Sequence, residues 1–184
     1  GADCVKFQMR DMASVYRKKS LEKQGEDLGT EYILDLLERF QLSEDEHQVV
    51  SEHCLKKGIM YMCTPWDILS VNVLEKFNVP AFKVASADLT NLPLLDRLAS
   101  TRKPLILSTG MSNESEIKIT IDFLNQRKVD FVLLHCNSTY PAPFHDINLN
   151  WIKKLKGIHP LVGYSGHERG IAVTLAAVGL GAKI

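Results

Sequence analysis

The stretch "AFKVASADLTNLPLLDRLASTRKPLILSTGM", Ala81–Met111, contains one full period of the plan on which the chain is built. It opens on a short apolar run, Ala81–Ala85, continuous rather than alternating, as in a strand covered on both faces. A helical pattern follows, then a second apolar run, Pro104–Ser108. Polar residues close both runs, Ser86 just beyond the first and Ser108 at the end of the second. Outward from this stretch the same period recurs, with runs at Cys4–Phe7, Ile59–Cys63, Phe131–Cys136 and Leu161–Gly163. Strand, helix, strand in that rhythm predicts a parallel sheet.

The intervening segments carry helix signals. Ser43 with Glu46 three residues on predicts a capping box. Ser112 is the expected cap of a helix whose Ile117, Ile121 and Leu124 fall at i, i+4 and i+7. A helix from about Thr30 to Phe40 sets Ile33, Leu34, Leu37 and Phe40 on one face. The charged, glycine-punctuated segment Arg17–Gly29 reads as a loop, and "GLGAK" as a helix stop.

Two architectures fit the rhythm: an open doubly wound sheet and a (β/α)8 barrel. Polar residues at the strand ends decide between them. They are Lys6 and Gln8, Thr64, Lys83 and Ser86, Ser108, Ser138 and Tyr140, Ser165 and His167. A barrel gathers all its strand C-termini around one mouth, whereas an open sheet concentrates its chemistry at a single switch point. The expected fold class is therefore α/β, a TIM barrel, incomplete here. About six of eight strands are expected, the first and most of the last missing, with residues 1–184 forming one partial catalytic domain. "GADCVKFQ" has neither an initiator Met nor a basic leader, and "GAKI" (Gly181–Ile184) reads as the opening of a further strand.

Composition narrows the function classes. Of 184 residues 45% are hydrophobic and 24% charged, which suits a globular domain with a real core and excludes a disordered chain. Twenty-two basic residues balance twenty-two acidic ones, so no overall field draws nucleic acid or anionic lipid. No apolar run is long enough to cross a bilayer. Cys4, Cys54, Cys63 and Cys136 include no C-x-x-C pair, which favours buried thiols and a cytoplasmic location over a disulfide framework.

Lys6 and Lys83 lie inside otherwise apolar runs. An ammonium there needs an anionic partner or a wet site, unless it snorkels from the strand end. Two such lysines, with the hydroxyls of Thr64, Ser86, Ser108 and Ser165, predict a pocket for a phosphate or carboxylate. No P-loop pattern is present. His167 stands where a metal ligand or general acid-base group belongs, and equally where a turn residue would. Glu168 is expected to favour the N-terminus of the following helix. Asp88 either binds a sugar hydroxyl and moves a proton or organises a turn with Thr90 and Asn91. Tyr140, held close to prolines, is a candidate ligand contact. His135 reads as a core histidine, His47 and His53 as structural, and His145 and His159 as loop residues.

In order, "GADCVKFQ", "CTPWD", "FKVASADLTNLPLL", "PLILSTGMS", "LLHCNSTYPAP" and "VGYSGHERGIA" resemble the sialic acid synthase family, which comprises N-acetylneuraminate synthase and the legionaminic and pseudaminic acid synthases. The resemblance spans essentially the whole chain. It implies a barrel that condenses phosphoenolpyruvate with an N-acetylated amino-sugar such as N-acetylmannosamine. The products are a nine-carbon 2-keto acid and phosphate, and Mn2+ or Mg2+ is required. By position, Lys6, Thr64, Lys83, Ser86, Ser108, Ser138 and Ser165 match the residues that grip phosphoenolpyruvate. Gln8, Asp88 and Tyr140 match those near the sugar, and His167 matches one of two histidine metal ligands. The catalytic roles fall to Lys6, Lys83, Asp88 and His167.

The family's first strand is expected upstream of Gly1 and its second metal histidine beyond "GAKI". The C-terminal antifreeze-like domain, which in this family reaches into the partner subunit of a dimer, is expected beyond it as well, and a homodimer is expected at full length. "TPWD" and "ASADLTN" look closer to the bacterial relatives. Two alternatives stand beside this one. Another phosphoenolpyruvate-condensing synthase, acting on a phosphosugar, would need an arginine cluster at the mouth, where Arg169 is the arginine expected. A non-catalytic barrel would be expected to have lost the pocket lysines, and both are present.

Overall fold

The computed structural model describes residues 1–16 and 31–184, so the loop expected at Arg17–Gly29 lies outside the described residues. The strands among them are β1 (Cys4–Met9), β2 (Met60–Pro65), β3 (Phe82–Val84), β4 (Leu105–Ser108), β5 (Phe131–Cys136) and β6 (Val162–Ser165). Every expected apolar run contributes one. The helices are α1 (Met12–Val15), α2 (Glu31–Phe40), α3 (Glu44–Lys57), α4 (Ile68–Lys76), α5 (Leu92–Ser100), α6 (Glu114–Arg127), α7 (Asn150–Lys156) and α8 (Ala172–Gly179). The described residues form two compact units, Gly1–Pro80 and Ala81–Ile184.

In the first unit β1 and β2 pair in parallel, with Lys6 opposite Met62 and Gln8 opposite Thr64. Lys6 and Gln8 are exposed, so the expectation of burial on both faces fails for this strand. β1 lies at the end of the strand order, with β2 on one side and no strand on the other among the described residues. Helix α3 opens on the expected capping box. Ser43 Oγ accepts from the Glu46 amide, and the Glu46 carboxylate accepts from the Ser43 amide at 2.8 Å. Acidic residues in its first turn and lysines in its last complement the helix dipole. In α2, Leu34 is buried and Leu37 half-buried, but Phe40, expected on the same face, is 68% exposed. It is the last helical residue, and its ring packs against the Arg39 guanidinium 5.3 Å away. Helix α4 is capped by Asp67, whose carboxylate accepts from the Ser70 amide and hydroxyl and, at 2.7 Å, from the Asp11 amide. One side chain thus ties the end of β1 to the start of α4.

The second unit pairs β3 to β4, β4 to β5 and β5 to β6, all in parallel and in chain order. All six residues of β5 are buried, the signature of a strand with helices on one face and side chains packed on the other. Phe82, Leu95, Leu107, Leu124 and Leu133 are completely enclosed. The cap of α6 is Asn113 rather than Ser112. Its Oδ1 accepts from the Glu116 amide at 3.0 Å and its own amide donates to the Glu116 carboxylate at 2.7 Å. The box requires a spacing of three to Glu116, which Asn113 meets and Ser112 does not; the Ser112 amide instead closes a turn on Thr109 O at 3.2 Å. Ile117, Ile121 and Leu124 point inward as expected.

After α8 the chain turns at Gly181, whose φ of +97° favours glycine. Lys183 N then donates to Val162 O at 2.9 Å, and Tyr164 N to Ile184 O at 2.8 Å. Gly181–Ile184 therefore runs alongside β6, as the opening of a further strand would. A Cβ on Gly163 would collide with the Ile184 carbonyl oxygen, so only glycine admits this approach.

Candidate active site

The second unit holds a cluster built from the ends of three neighbouring strands. β3 projects Lys83 into the protein, leaving it 6% exposed. Its Nζ donates to Ser108 Oγ at 2.6 Å and to Val84 O at 2.7 Å. These two bonds fix the direction of the ammonium. A buried ammonium held beside a hydroxyl is the kind of group that can meet an anionic oxygen.

The loop after β4 closes over the end of β5. The Thr109 amide and hydroxyl both donate to Leu134 O at 3.0 Å. The Gly110 amide donates to Ser86 Oγ at 3.1 Å, joining this loop to the turn after β3. A Cβ on Gly110 would lie 2.7 Å from both Cys136 O and Ser138 Oγ, so glycine is what lets the loop pass so close. Ser138 Oγ is buried and makes no hydrogen bond. A buried hydroxyl in that state points to a ligand partner, since such groups are normally satisfied. Lys83, Ser86, Ser108 and Ser138 are thus brought together, and Ser165 ends β6 directly opposite Cys136.

His167 stands next to this cluster. Its Nδ1 lies 2.6 Å from Asn137 O. A carbonyl only accepts, so Nδ1 carries a proton; in the neutral ring Nε2 is then an acceptor, and Tyr140 OH lies 2.7 Å from it. The two rings stack with centroids 3.8 Å apart. Cys136 Sγ lies 3.9 Å from Nδ1 and 4.0 Å from Nε2. Among the described residues no three His, Cys, Asp or Glu side chains group as a metal cage. What the chain offers a cation here is one imidazole, which can ligate through Nε2 when the ring is neutral.

Asp88 sits in a short 3-10 turn after β3, and its Oδ1 accepts from Asn91 Nδ2 at 3.0 Å. Asn91 in turn caps α5, so the turn-organising role is realised in the chain itself. Glu168 lies ahead of the cap residue of α8, Ile171. It accepts from Tyr164 OH at 2.7 Å and Thr174 Oγ1 at 3.4 Å. It is a tether between β6 and α8 rather than a first-turn acid.

In the first unit, β1 and β2 carry Lys6, Gln8 and Thr64. Thr64 is buried, and Lys6 remains in contact with solvent. The protein packed around the Lys6 stem holds its ammonium below the usual lysine value. Gln8 Oε1 accepts from Arg10 Nη2 at 2.6 Å and from Trp66 Nε1 at 3.1 Å. Arg10, just past β1 and 8% exposed, was not among the expected residues. The signal was available, because Lys6, Gln8 and Arg10 occupy alternate positions on one face of an extended segment. Arg169 is therefore not alone as an arginine at a strand end. Arg169 is exposed, whereas Arg10 is built in.

The model of the NeuB family matches residues 1–184. The chain is 46% identical over 186 residues to an uncharacterised protein of Methanocaldococcus jannaschii, covering 100% of this chain and 52% of that protein. It is 38% identical over 191 residues to the N,N'-diacetyllegionaminic acid synthase of Campylobacter jejuni, covering 100% of this chain and 57% of the synthase. The chain spans about half the length of these curated relatives. Among solved structures, the N-acetylneuraminic acid synthetase of Leptospira borgpetersenii, crystallised in complex with citrate, matches with a TM-score of 0.87 at 34% identity. That match covers 100% of this chain and 61% of the other. The six parallel strands are accordingly those of an incomplete (β/α)8 barrel. From residue 1 to residue 184, the chain belongs to the NeuB family of sialic acid synthases.

Proposed function

We propose that the protein is a transferase of the sialic acid synthase type. It condenses phosphoenolpyruvate with an N-acetylated amino-sugar, N-acetylmannosamine or a modified relative, to a nine-carbon 2-keto acid and phosphate. The observation that carries this reading is the buried Lys83 ammonium on Ser108, with Ser86, Gly110 and the unsatisfied Ser138 hydroxyl beside it. A buried cation on one hydroxyl, with further hydroxyls on the adjoining loops, suits a ligand with several anionic oxygens.

In this reading Lys83, Ser86, Ser108, Ser138 and Ser165 hold phosphoenolpyruvate, together with Lys6 and Thr64. Gln8, Asp88 and Tyr140 face the sugar. The enol carbon attacks the open-chain aldehyde, water adds to the resulting cationic carbon, and the C–O bond to phosphate breaks to leave the keto group. Lys83 and Lys6 balance the phosphate and carboxylate charges throughout. Mn2+ or Mg2+, with His167 as one ligand, would supply Lewis-acid polarisation of the aldehyde. In this reading Asp88 moves the proton that the new hydroxyl gains.

The protein is further assigned to the cytoplasm, in keeping with its four free cysteines, and to a homodimer at full length. No described helix is long and apolar enough to cross a membrane. The test is phosphate release from phosphoenolpyruvate with Mn2+, offering N-acetylmannosamine and 2,4-diacetamido sugars separately. Release that depends on one sugar supports the assignment and names the substrate. A folded protein that releases none with any of them would overturn it.

A further inference from the structure

Gln8 sits between two groups that can only donate. Its Oε1 accepts from the Arg10 guanidinium at 2.6 Å and the Trp66 indole at 3.1 Å. Neither partner has a lone pair to offer, so turning the amide over would set N–H against N–H. The orientation is dictated by the neighbours: the carbonyl faces Arg10 and Trp66, and the NH2 points away from them. Gln8 is exposed, so those two N–H groups are accessible at the C-terminal end of β1.

Both neighbours are themselves held. The Arg10 guanidinium lies over the Trp66 ring at 4.8 Å, and its backbone carbonyl accepts from Gln41 Nε2 at 2.7 Å. The Trp66 amide donates to Met9 O at 3.0 Å. All these groups lie in one compact unit. Local hydrogen bonding would not require a buried arginine for this task; a solvated glutamine rotates freely and can meet either a donor or an acceptor.

We propose that Arg10 and Trp66 are positioning residues that lock Gln8 as a hydrogen-bond donor. The acceptor sugar must then present an oxygen to Gln8, the acetamido carbonyl or a hydroxyl lone pair. This rests on the synthase assignment and sharpens it. The same arrangement selects against a sugar with a free ammonium, because the outward N–H groups and the Arg10 charge all present positive ends to it.

The test uses Gln8→Glu, Gln8→Lys and Trp66→Phe in the full protein. A carboxylate at position 8 still accepts from Arg10 and Trp66 but cannot donate. Gln8→Glu should therefore keep the thermal midpoint of the wild type while raising the KM for the sugar about 10-fold or more, with the KM for phosphoenolpyruvate unchanged. Gln8→Lys places a cation against Arg10 and should lower the midpoint clearly. Trp66→Phe keeps the ring, loses the N–H, and should raise the sugar KM a few-fold with little effect on kcat. Wild-type sugar KM in Gln8→Glu would overturn the donor role, and equal midpoints for Gln8→Glu and Gln8→Lys would overturn the lock. If the wild type condenses no sugar at all, the synthase assignment fails. The comparison of midpoints still decides the lock in that case.

Discussion

Tyr140 and His167 lie ring against ring, centroids 3.8 Å apart, with the tyrosine hydroxyl donating to Nε2 at 2.7 Å. The second nitrogen is committed to Asn137 O, so Nε2 is the only position through which this imidazole can ligate a cation. A cation that takes Nε2 must displace the tyrosine hydroxyl. Removing that hydroxyl should therefore favour binding by the worth of one hydrogen bond, roughly 3- to 10-fold. Mn2+ titration of the Tyr140→Phe variant, followed by the loss of free Mn2+ resonance, measures this directly. Unchanged affinity would argue against His167 Nε2 as a ligand.

The role proposed for Lys83 is to hold a ligand rather than to add stability. Replacing a buried cation with an apolar chain of similar length is often neutral or stabilising. Lys83→Met should leave urea stability unchanged within about 1 kcal/mol or raise it. Phosphate release should fall by about 100-fold or more. A variant that unfolds easily yet keeps its activity when folded would mark Lys83 as structural.

Gly110 tests the close approach of two loops. Its missing Cβ would lie 2.7 Å from Cys136 O and Ser138 Oγ. One of these is backbone, which yields only by shifting β5. Gly110→Ala should cost about 1–3 kcal/mol in chemical denaturation and weaken phosphoenolpyruvate binding through Ser138. Wild-type values for both would show that the loop yields freely.

Two buried histidines tie stability to pH. His47 lies wholly inside, with Tyr61 OH 2.7 Å from its Nδ1; His135 Nε2 lies 2.6 Å from Ile147 O. Burial holds both imidazoles below the ordinary value of 6.5. As pH falls through about 6.5, the unfolded chain takes up protons that the folded chain refuses, so stability falls with pH. Each contributes at most about 1.4 kcal/mol per pH unit until its folded value is passed. Denaturation curves at pH 7.5, 6.5 and 5.5 should show the decline, and His47→Gln should flatten it. A stability that is level over this range would contradict the burial assigned to both.

How much of this was legible varies from residue to residue. The strands were visible because apolar continuity is a local property; β5 was read from Phe131 to Cys136 and forms over that same span. The Ser43 box was legible because its partners are three residues apart. Ser112 was read as a cap without that spacing, and so Asn113, with Glu116 three residues on, was missed. Phe40 looked like core on a helical wheel, but a wheel records direction and not whether anything packs there.

The site divides in the same way. Lys83 and Ser86 stood out because a lysine in an apolar strand, followed by a hydroxyl, breaks a local pattern. Gly110 and Arg10 did not, because what makes each necessary lies elsewhere in the chain. Gly110 is needed by the Cys136 carbonyl and the Ser138 hydroxyl; Arg10 matters through Gln8 and through Trp66, 56 residues away. The sequence by itself determined the strand-helix rhythm, the family and the identity of the polar strand ends, all set by neighbours along the chain. Tertiary structure alone decided which nitrogen of His167 accepts, which way the Gln8 amide faces and which hydroxyl is left unsatisfied. Those are properties of partners, and folding is what assigns a side chain its partner.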